Sequence, residues 1–377
     1  MKLLAQFVIL AGLASGVLAD SRCNGPNART QPPAGAITVD ASGVHPGSFK
    51  TVVEGVAHIP NTTVEHTLFI FPGVYREQAM VPELNGRLVI QGYTCNTESY
   101  ADNQVTITHS KAQKDIPASI TVERNSLTST LGLKAKDVKL YNLNIANPQP
   151  KLANLGQAVA LFANTTNGGF YGVNITGSHC LDIPRLLRIE WRLMRSDLLL
   201  LVFTIFVVSG YQDSLYANKG RQLYSKSYIN GAVDFIFGLN AKAWFESCDI
   251  ESIGNGSITA NGNRNSSNLS EYVINNARVF GRYNKSSAYL GRPWRPYARV
   301  VFQNSELGDV IKPQGWDQWN KDNNTANVYF KEFNNRGPGS ARDQRVSFSS
   351  QLTTAVPITD ILGANYKSEW FVDSKFV

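Results

Sequence analysis

Apolar residues in this chain come in short runs and not in helical stripes. Leu68-Phe-Ile-Phe71, Leu88-Val-Ile90 and Val105-Thr-Ile107 are β-rich and are broken by Gly and Asn, a pattern that predicts many short strands joined by turns. One phrase recurs loosely: an aromatic or aliphatic residue, a few polar ones, then an aliphatic and an Asn or Gly. It begins at Tyr141, Tyr171, Tyr224, Phe245, Ile274 and Phe302, at intervals of 30, 53, 21, 29 and 28 residues. A short repeat in a β-rich chain predicts a solenoid, in which each coil rests its apolar side on the next. A sandwich or propeller would explain the strands but not the recurrence. The expected fold class is all-β, a solenoid.

The interval of 53 is the exception. It contains Ser178 to Gly210, which is Arg-rich at first and then runs Leu198-Leu-Leu-Leu-Val-Phe-Thr-Ile-Phe-Val-Val208. Eleven apolar residues are too few to span a bilayer as a helix. Setting aside these 33 residues reduces the interval to 20 and joins Gly177 to Tyr211. Thirty-three codons preserve the reading frame, and the Gly177 and Gly210 codons permit intron borders. Residues 178–210 are therefore read as a retained intron or an insert, with the apolar half expected either to lie exposed or to compete with the strand carrying Tyr211 to Asp213. The rest is expected to be residues 1–19 as a secretory signal peptide, with a basic start, an apolar core and Ala19 at its exit, and residues 20–377 as one catalytic domain.

Composition narrows the function. The formal charge of +7 is diffuse, without a Lys/Arg block; on a secreted protein this favours a polyanionic partner, and an acidic polysaccharide suits that compartment better than nucleic acid. Eight Asn-x-Ser/Thr sequons and four cysteines, Cys23, Cys95, Cys180 and Cys248, fit an oxidising secretory route. The cysteine pairing stays open. A monomer, without a membrane or nucleic-acid partner, is expected.

The candidate chemistry centres on Asp213 and Asp234, 21 residues apart in apolar, aromatic surroundings. A carboxylate is costly to bury unless it is paired or hydrogen-bonded. In a parallel solenoid, residues one coil apart stack at about 4.8 Å. With residues 178–210 set aside, Gln157, Asp213 and Asp234 would form a column over three coils, with Gln212 beside Asp213. Two carboxylates so close should push one pKa up, leaving one acid and one nucleophile or base. Glutamine amides supply donors for a developing oxyanion. Arg292 in Gly291-Arg-Pro-Trp294 can hold a carboxylate bidentately, and Trp294 offers a flat face to a sugar ring. Tyr75, Trp316 and Trp319 are further aromatics that could extend a cleft. The sequence has no Gly-x-Ser-x-Gly elbow, and its five histidines show no metal-ligand spacing. No metal or cofactor is expected.

Gly73-Val-Tyr-Arg-Glu77, Gly156-Gln-Ala-Val-Ala-Leu161, Tyr211-Gln-Asp-Ser-Leu-Tyr216, Asp234-Phe-Ile-Phe-Gly238 and Gly291-Arg-Pro-Trp294 resemble, in order, the signature motifs of the pectin methylesterases, in particular the fungal secreted type. The resemblance covers roughly residues 35 to 370, the 33-residue segment apart. It implies a right-handed, single-stranded parallel β-helix that removes methyl esters from homogalacturonan. It further implies Asp234 as nucleophile, Asp213 as general acid and then base, and Gln157 with Gln212 as the oxyanion hole. Arg292 would hold the nucleophile, and Trp294, Phe235 and Tyr75 would contact the sugar. Ser214 stands where Thr is usual. A pectate lyase, a polygalacturonase and a non-catalytic wall-binding solenoid are the competing readings, and methanol release without chain shortening separates the esterase from all three.

Overall fold

The structure is a computed structural model and describes residues 21–122, 124–149, 155–177, 200–320 and 325–377. The expected signal peptide, His179, Cys180 and the Asn323 sequon lie outside the described residues. The described chain is a right-handed parallel β-helix. One face carries twelve strands, from Ile37–Val39 to Ser349–Gln351, and a second carries nine, from Gly73–Tyr75 to Glu306–Leu307. The third face is in two pieces. Ala79–Val81, Leu131–Leu133 and Leu161–Ala163 form the first; Leu215–Tyr216, Ile236–Gly238, Gly256–Asn261 and Ala288–Gly291 form the second. Strands that neighbour each other on a face are parallel.

Coils stack because like side chains fall in register. On the first face Phe170, Phe203, Tyr224 and Phe245 form a continuous ring stack, with centroids 4.6, 4.8 and 4.7 Å apart. On the second, Ile145, Ile175, Val208, Ile229, Ile250, Val279 and Leu307 make an aliphatic column. Each such side chain, fully buried, contributes about 1.5–3 kcal/mol. The turn between these faces carries one left-handed residue per coil: Asn142, Gly172, Ile205, Lys226, Ser247, Asn276, Asn304 and Asn334, the non-glycines with φ of 48–53°. Asn and Gly tolerate that conformation, and they fill five of these eight positions. Ile205 is the β-branched exception.

Ile205 belongs to the anomalous segment, and the segment's described half does neither thing expected of it. Leu200–Thr204 inserts into the first face between Asn167–Tyr171 and Arg221–Ser225. Val207–Ser209 inserts into the second face between Asn174–Gly177 and Tyr228–Gly231. The apolar run is thus a coil in its own right. It buries Phe203, Phe206 and Val208 in the solenoid core, while Leu200 and Val202 pack outward in one cluster with Ile361, Leu362 and Phe371 of the C-terminal segment. Each of its residues sits opposite the residue 33 positions earlier, from Leu200 on Asn167 to Ser209 on Thr176.

The N-terminal end of the solenoid is closed by a helix. Thr51 and Glu54 form a capping box on the helix Val52–Ala57, which packs against the first coils. Glu77 accepts hydrogen bonds from Val52 N and Val53 N at 2.8 and 2.9 Å, so the Gly73–Glu77 motif anchors this cap. A disulfide joins Cys23 to Cys95. Cys248 is a buried free thiol pushed up to about 12 by burial, an inert packing residue. Among the described residues no helix is long and apolar enough to cross a membrane.

Candidate active site

Both candidate aspartates occupy the turn that leads from the second face into the third. Gln212 bridges to Val233 in parallel register, so Asp213 and Asp234 are consecutive rungs of one ladder, about 4.8 Å apart along the axis. Both are left-handed, with φ of 54° and 50°. Their backbone amides are committed to the ladder: Asp213 N donates to Val233 O at 3.1 Å and Asp234 N to Ser257 O at 2.7 Å. Aspartate accepts this conformation more readily than most residues. The turn thereby fixes where both side chains leave the backbone. Ser214, next in line, is fully buried and its hydroxyl has no partner.

Arg292 reaches Asp234 with two parallel hydrogen bonds, Nε to Oδ1 at 2.8 Å and Nη2 to Oδ2 at 2.7 Å. It follows the strand Ala288–Gly291, where Gly291 faces Thr259 and Thr259 faces Ile236. Two coil spacings therefore separate its backbone from that of the Asp234 coil, a distance the long side chain spans. The guanidinium rests on the Trp319 ring, 4.4 Å from its centroid. Fixed by a fork of hydrogen bonds on one edge and an aromatic plane on its face, it has little rotational freedom left.

The electrostatics depart from expectation in an instructive way. Burial raises the Asp234 pKa above the usual carboxylate range; Arg292 opposes the rise and Asp317 adds to it. The pKa of Arg292 also rises, chiefly through its hydrogen bonds to Asp234. The two directions are compatible because the carboxylate side chain is only 8% exposed and the guanidinium 24%. Desolvation outweighs the ion pair at the aspartate, and the pair outweighs desolvation at the arginine. Asp317 is a carboxylate acting on Asp234 that the column did not predict, and Asp213 acts on Arg292 of the same pair. Asp317 sits one coil beyond Arg292: Gly291 bridges to Trp316, and Asp317 N donates to Gly291 O at 2.9 Å. Nothing in residue type singled it out; only the register does.

The aromatics divide. Trp294 is half-buried at the site, with its ring tilted on Phe237 at 6.0 Å, and Phe237 stacks on Tyr216 at 4.6 Å. Gly262 makes room for the indole, since a Cβ there would lie 2.6 Å from Trp294 Cε3. Tyr211 and Gln212 are exposed beside the aspartates. Phe235 and Tyr75 are not available to a sugar. Phe235 is 0% exposed in the core; Tyr75 is 3% exposed and donates its hydroxyl to Phe71 O at 2.9 Å. Both are packing residues. Trp316 is likewise buried and stacks on Phe330.

Gln157 is the residue the fold does not bring in. It precedes Leu161–Ala163, in the three-stranded piece of the third face, whereas Asp213 precedes Leu215–Tyr216, in the four-stranded piece. The coil of Asn167–Tyr171 and Asn174–Gly177 intervenes and passes through residues 178–199 before Leu200–Thr204 begins the next. Gln157 therefore stands two coils from Asp213, about 10 Å along the axis and not one spacing. The expected three-residue column is reduced to the two aspartates, with Gln212 beside them. Among the described residues no group of three His, Cys, Asp or Glu is placed to hold a metal.

Against known proteins, the pectinesterase family model matches residues 193–373, a stretch that begins inside the 33-residue segment. A pectinesterase of Aspergillus aculeatus is 40% identical over 92% of this chain and 94% of its own length, and one of Aspergillus niger is 37% identical over 93% and 94%. Among solved structures, the deglycosylated pectin methylesterase of Aspergillus niger superposes with a TM-score of 0.69 at 32% identity, covering 93% of this chain and all of that one. Pectin methylesterase from carrot gives a TM-score of 0.66 at 26% identity, covering 90% and 97%. A solenoid of parallel coils, an aspartate ladder with an arginine clamp, and relatives of this identity over nearly the whole chain lead to one conclusion: the chain belongs to the pectinesterase family.

Proposed function

We propose that this protein hydrolyses the methyl esters of galacturonosyl units in pectin, releasing methanol and leaving the polysaccharide backbone intact. The observation that carries the reading is the bidentate Arg292–Asp234 pair one coil from Asp213. The clamp aims one carboxylate and holds it still, as a nucleophile requires. The second carboxylate is half-buried beside it.

In the proposed reaction an Asp234 oxygen adds to the ester carbonyl carbon. The carbonyl electron pair moves onto oxygen, where the Gln212 amide donates to it. Collapse of this intermediate breaks the bond to the methoxy oxygen, which leaves as methanol with a proton from Asp213. Asp213, now ionised, takes a proton from water as that water adds to the acyl carbon. The bond to Asp234 then breaks, freeing the uronate and restoring both carboxyl groups. Trp294 lines the sugar position, and the diffuse positive charge of the chain favours an acidic polymer. Secretion is part of the proposal, supported by the Cys23–Cys95 disulfide and by sequons at the exposed Asn61, Asn255, Asn265 and Asn284.

The test is Asp234→Asn, which keeps the shape but removes the nucleophile. Methanol release from methylated homogalacturonan should fall to background while the thermal melt stays cooperative. Release near the unmutated rate refutes the assignment of Asp234, and polymer shortening by the unmutated protein refutes the esterase.

A further inference from the structure

The 33-residue offset of the coil Leu200–Ser209 carries a consequence for the site. Its strands hold the same register to the preceding coil throughout, Leu200 on Asn167 and Ser209 on Thr176. Its partners on the far side, Arg221 and Asn230, are met in equally unbroken register. Gly210 therefore ends the second-face strand just where Gly177 ends it one coil earlier. Leu200–Thr204 and Val207–Ser209 thus add one rung to each of the first two faces.

On the first two faces this coil is continuous with its neighbours. On the third face, among the described residues, Leu161–Ala163 ends one sheet piece and Leu215–Tyr216 starts the other. Gln157 lies on the far side of that gap from the aspartates. We infer that the coil Leu200–Ser209 is a spacer that withholds the Gln157 amide from the Asp213–Asp234 ladder, and that removing residues 178–210 restores a second amide donor to the site. This rests on the esterase reading above.

The coil also shows local signs of being an addition. Ile205 takes the left-handed position that Gly172 fills in the preceding coil, a conformation that strains a β-branched residue. The Thr204 hydroxyl is fully buried without a hydrogen-bond partner. Neither feature prevents the coil from forming, since its core and outer faces are both covered. The β-branched residue in the left-handed position sets it apart from the coils on either side.

The experiment compares the full chain and a form lacking residues 178–210, each with Gln157 and with Gln157→Ala. Methanol release is measured on methylated homogalacturonan, with kcat and KM resolved. The deletion should raise kcat about 10²-fold, the scale of one oxyanion donor. Gln157→Ala should then lower kcat at least tenfold more in the shortened form than in the full chain, with KM little changed in either. Equal losses in the two forms overturn the inference while leaving the esterase intact. If neither form releases methanol, the esterase reading itself falls and the inference with it; a folded shortened form that releases none beside an active full chain overturns the inference alone. A tenfold or greater loss of kcat from Gln157→Ala in the full chain overturns the inference alone, whether or not the shortened form folds.

Discussion

The Asp234 carboxylate is under three influences, and two substitutions separate them. Burial and Asp317 push its pKa up, and Arg292 holds it down. The nucleophile must be ionised, so the acid limb of kcat against pH follows this pKa. Arg292→Ala removes the opposing influence, and the limb should move to higher pH with about a 10²-fold loss of kcat from the lost aim. Asp317→Asn removes a like charge, and the limb should move to lower pH at nearly unchanged plateau. A pH–rate profile of each variant checks the signs; a shift in the same direction for both would mean that Asp234 is not the titrating group. The sequence showed the two aspartates, the arginine and the tryptophan because each residue type is unusual in its setting. It did not show Asp317, whose relevance comes only from its register opposite Arg292. It also placed Phe235 and Tyr75 in the site, because an aromatic beside a motif looks the same whether it packs inward or outward.

At the level of the strand and turn, the repeating phrase was legible because each coil returns like side chains to the same register. The coil Leu200–Ser209 was not, for a physical reason. Its strand on the first face is buried on both sides, by the core and by the C-terminal segment. Such a strand reads as a continuous apolar run without alternation, which periodicity cannot tell from other buried segments. Thr204 tests how well this coil is fitted. Its orphan hydroxyl is fully buried, so Thr204→Val keeps the shape and removes a desolvated polar group. The variant should be more stable by about 1 kcal/mol, read as a higher denaturant midpoint at constant slope. A lower midpoint would mean that the hydroxyl has a partner in solution.

The whole molecule depends on a contact far apart in sequence. Ile361, Leu362, Phe371 and Phe376 cover the outer side of Tyr171, Val202, Leu223 and Trp244. Arg221 and Lys242 donate to Leu362 O and Asp360 O, which ties this cover to the first face. Truncation after Ala355 would uncover a continuous apolar strip, and the truncated protein is expected to be retained or aggregated when the full chain is secreted. Secretion at an equal level would mean that the strip tolerates solvent or finds another cover. Fold class was legible at this scale because parallel coils repeat; the C-terminal cover was not, since its residues carry no repeat.

A parallel solenoid has a reading frame in space, and its codon is one turn. An addition that begins and ends at the same corner of the coil leaves every later strand in register, as an added triplet leaves the later codons readable. The added strands Leu200–Thr204 and Val207–Ser209 are in frame in this sense: Arg221 onward meets Leu200 onward just as it could meet Asn167 onward. Downstream coils, the Asp234–Arg292 clamp among them, assemble as though nothing had been added. The cost falls only on partnerships that must reach across the added turn, and in this chain that means an amide on one side and two carboxylates on the other.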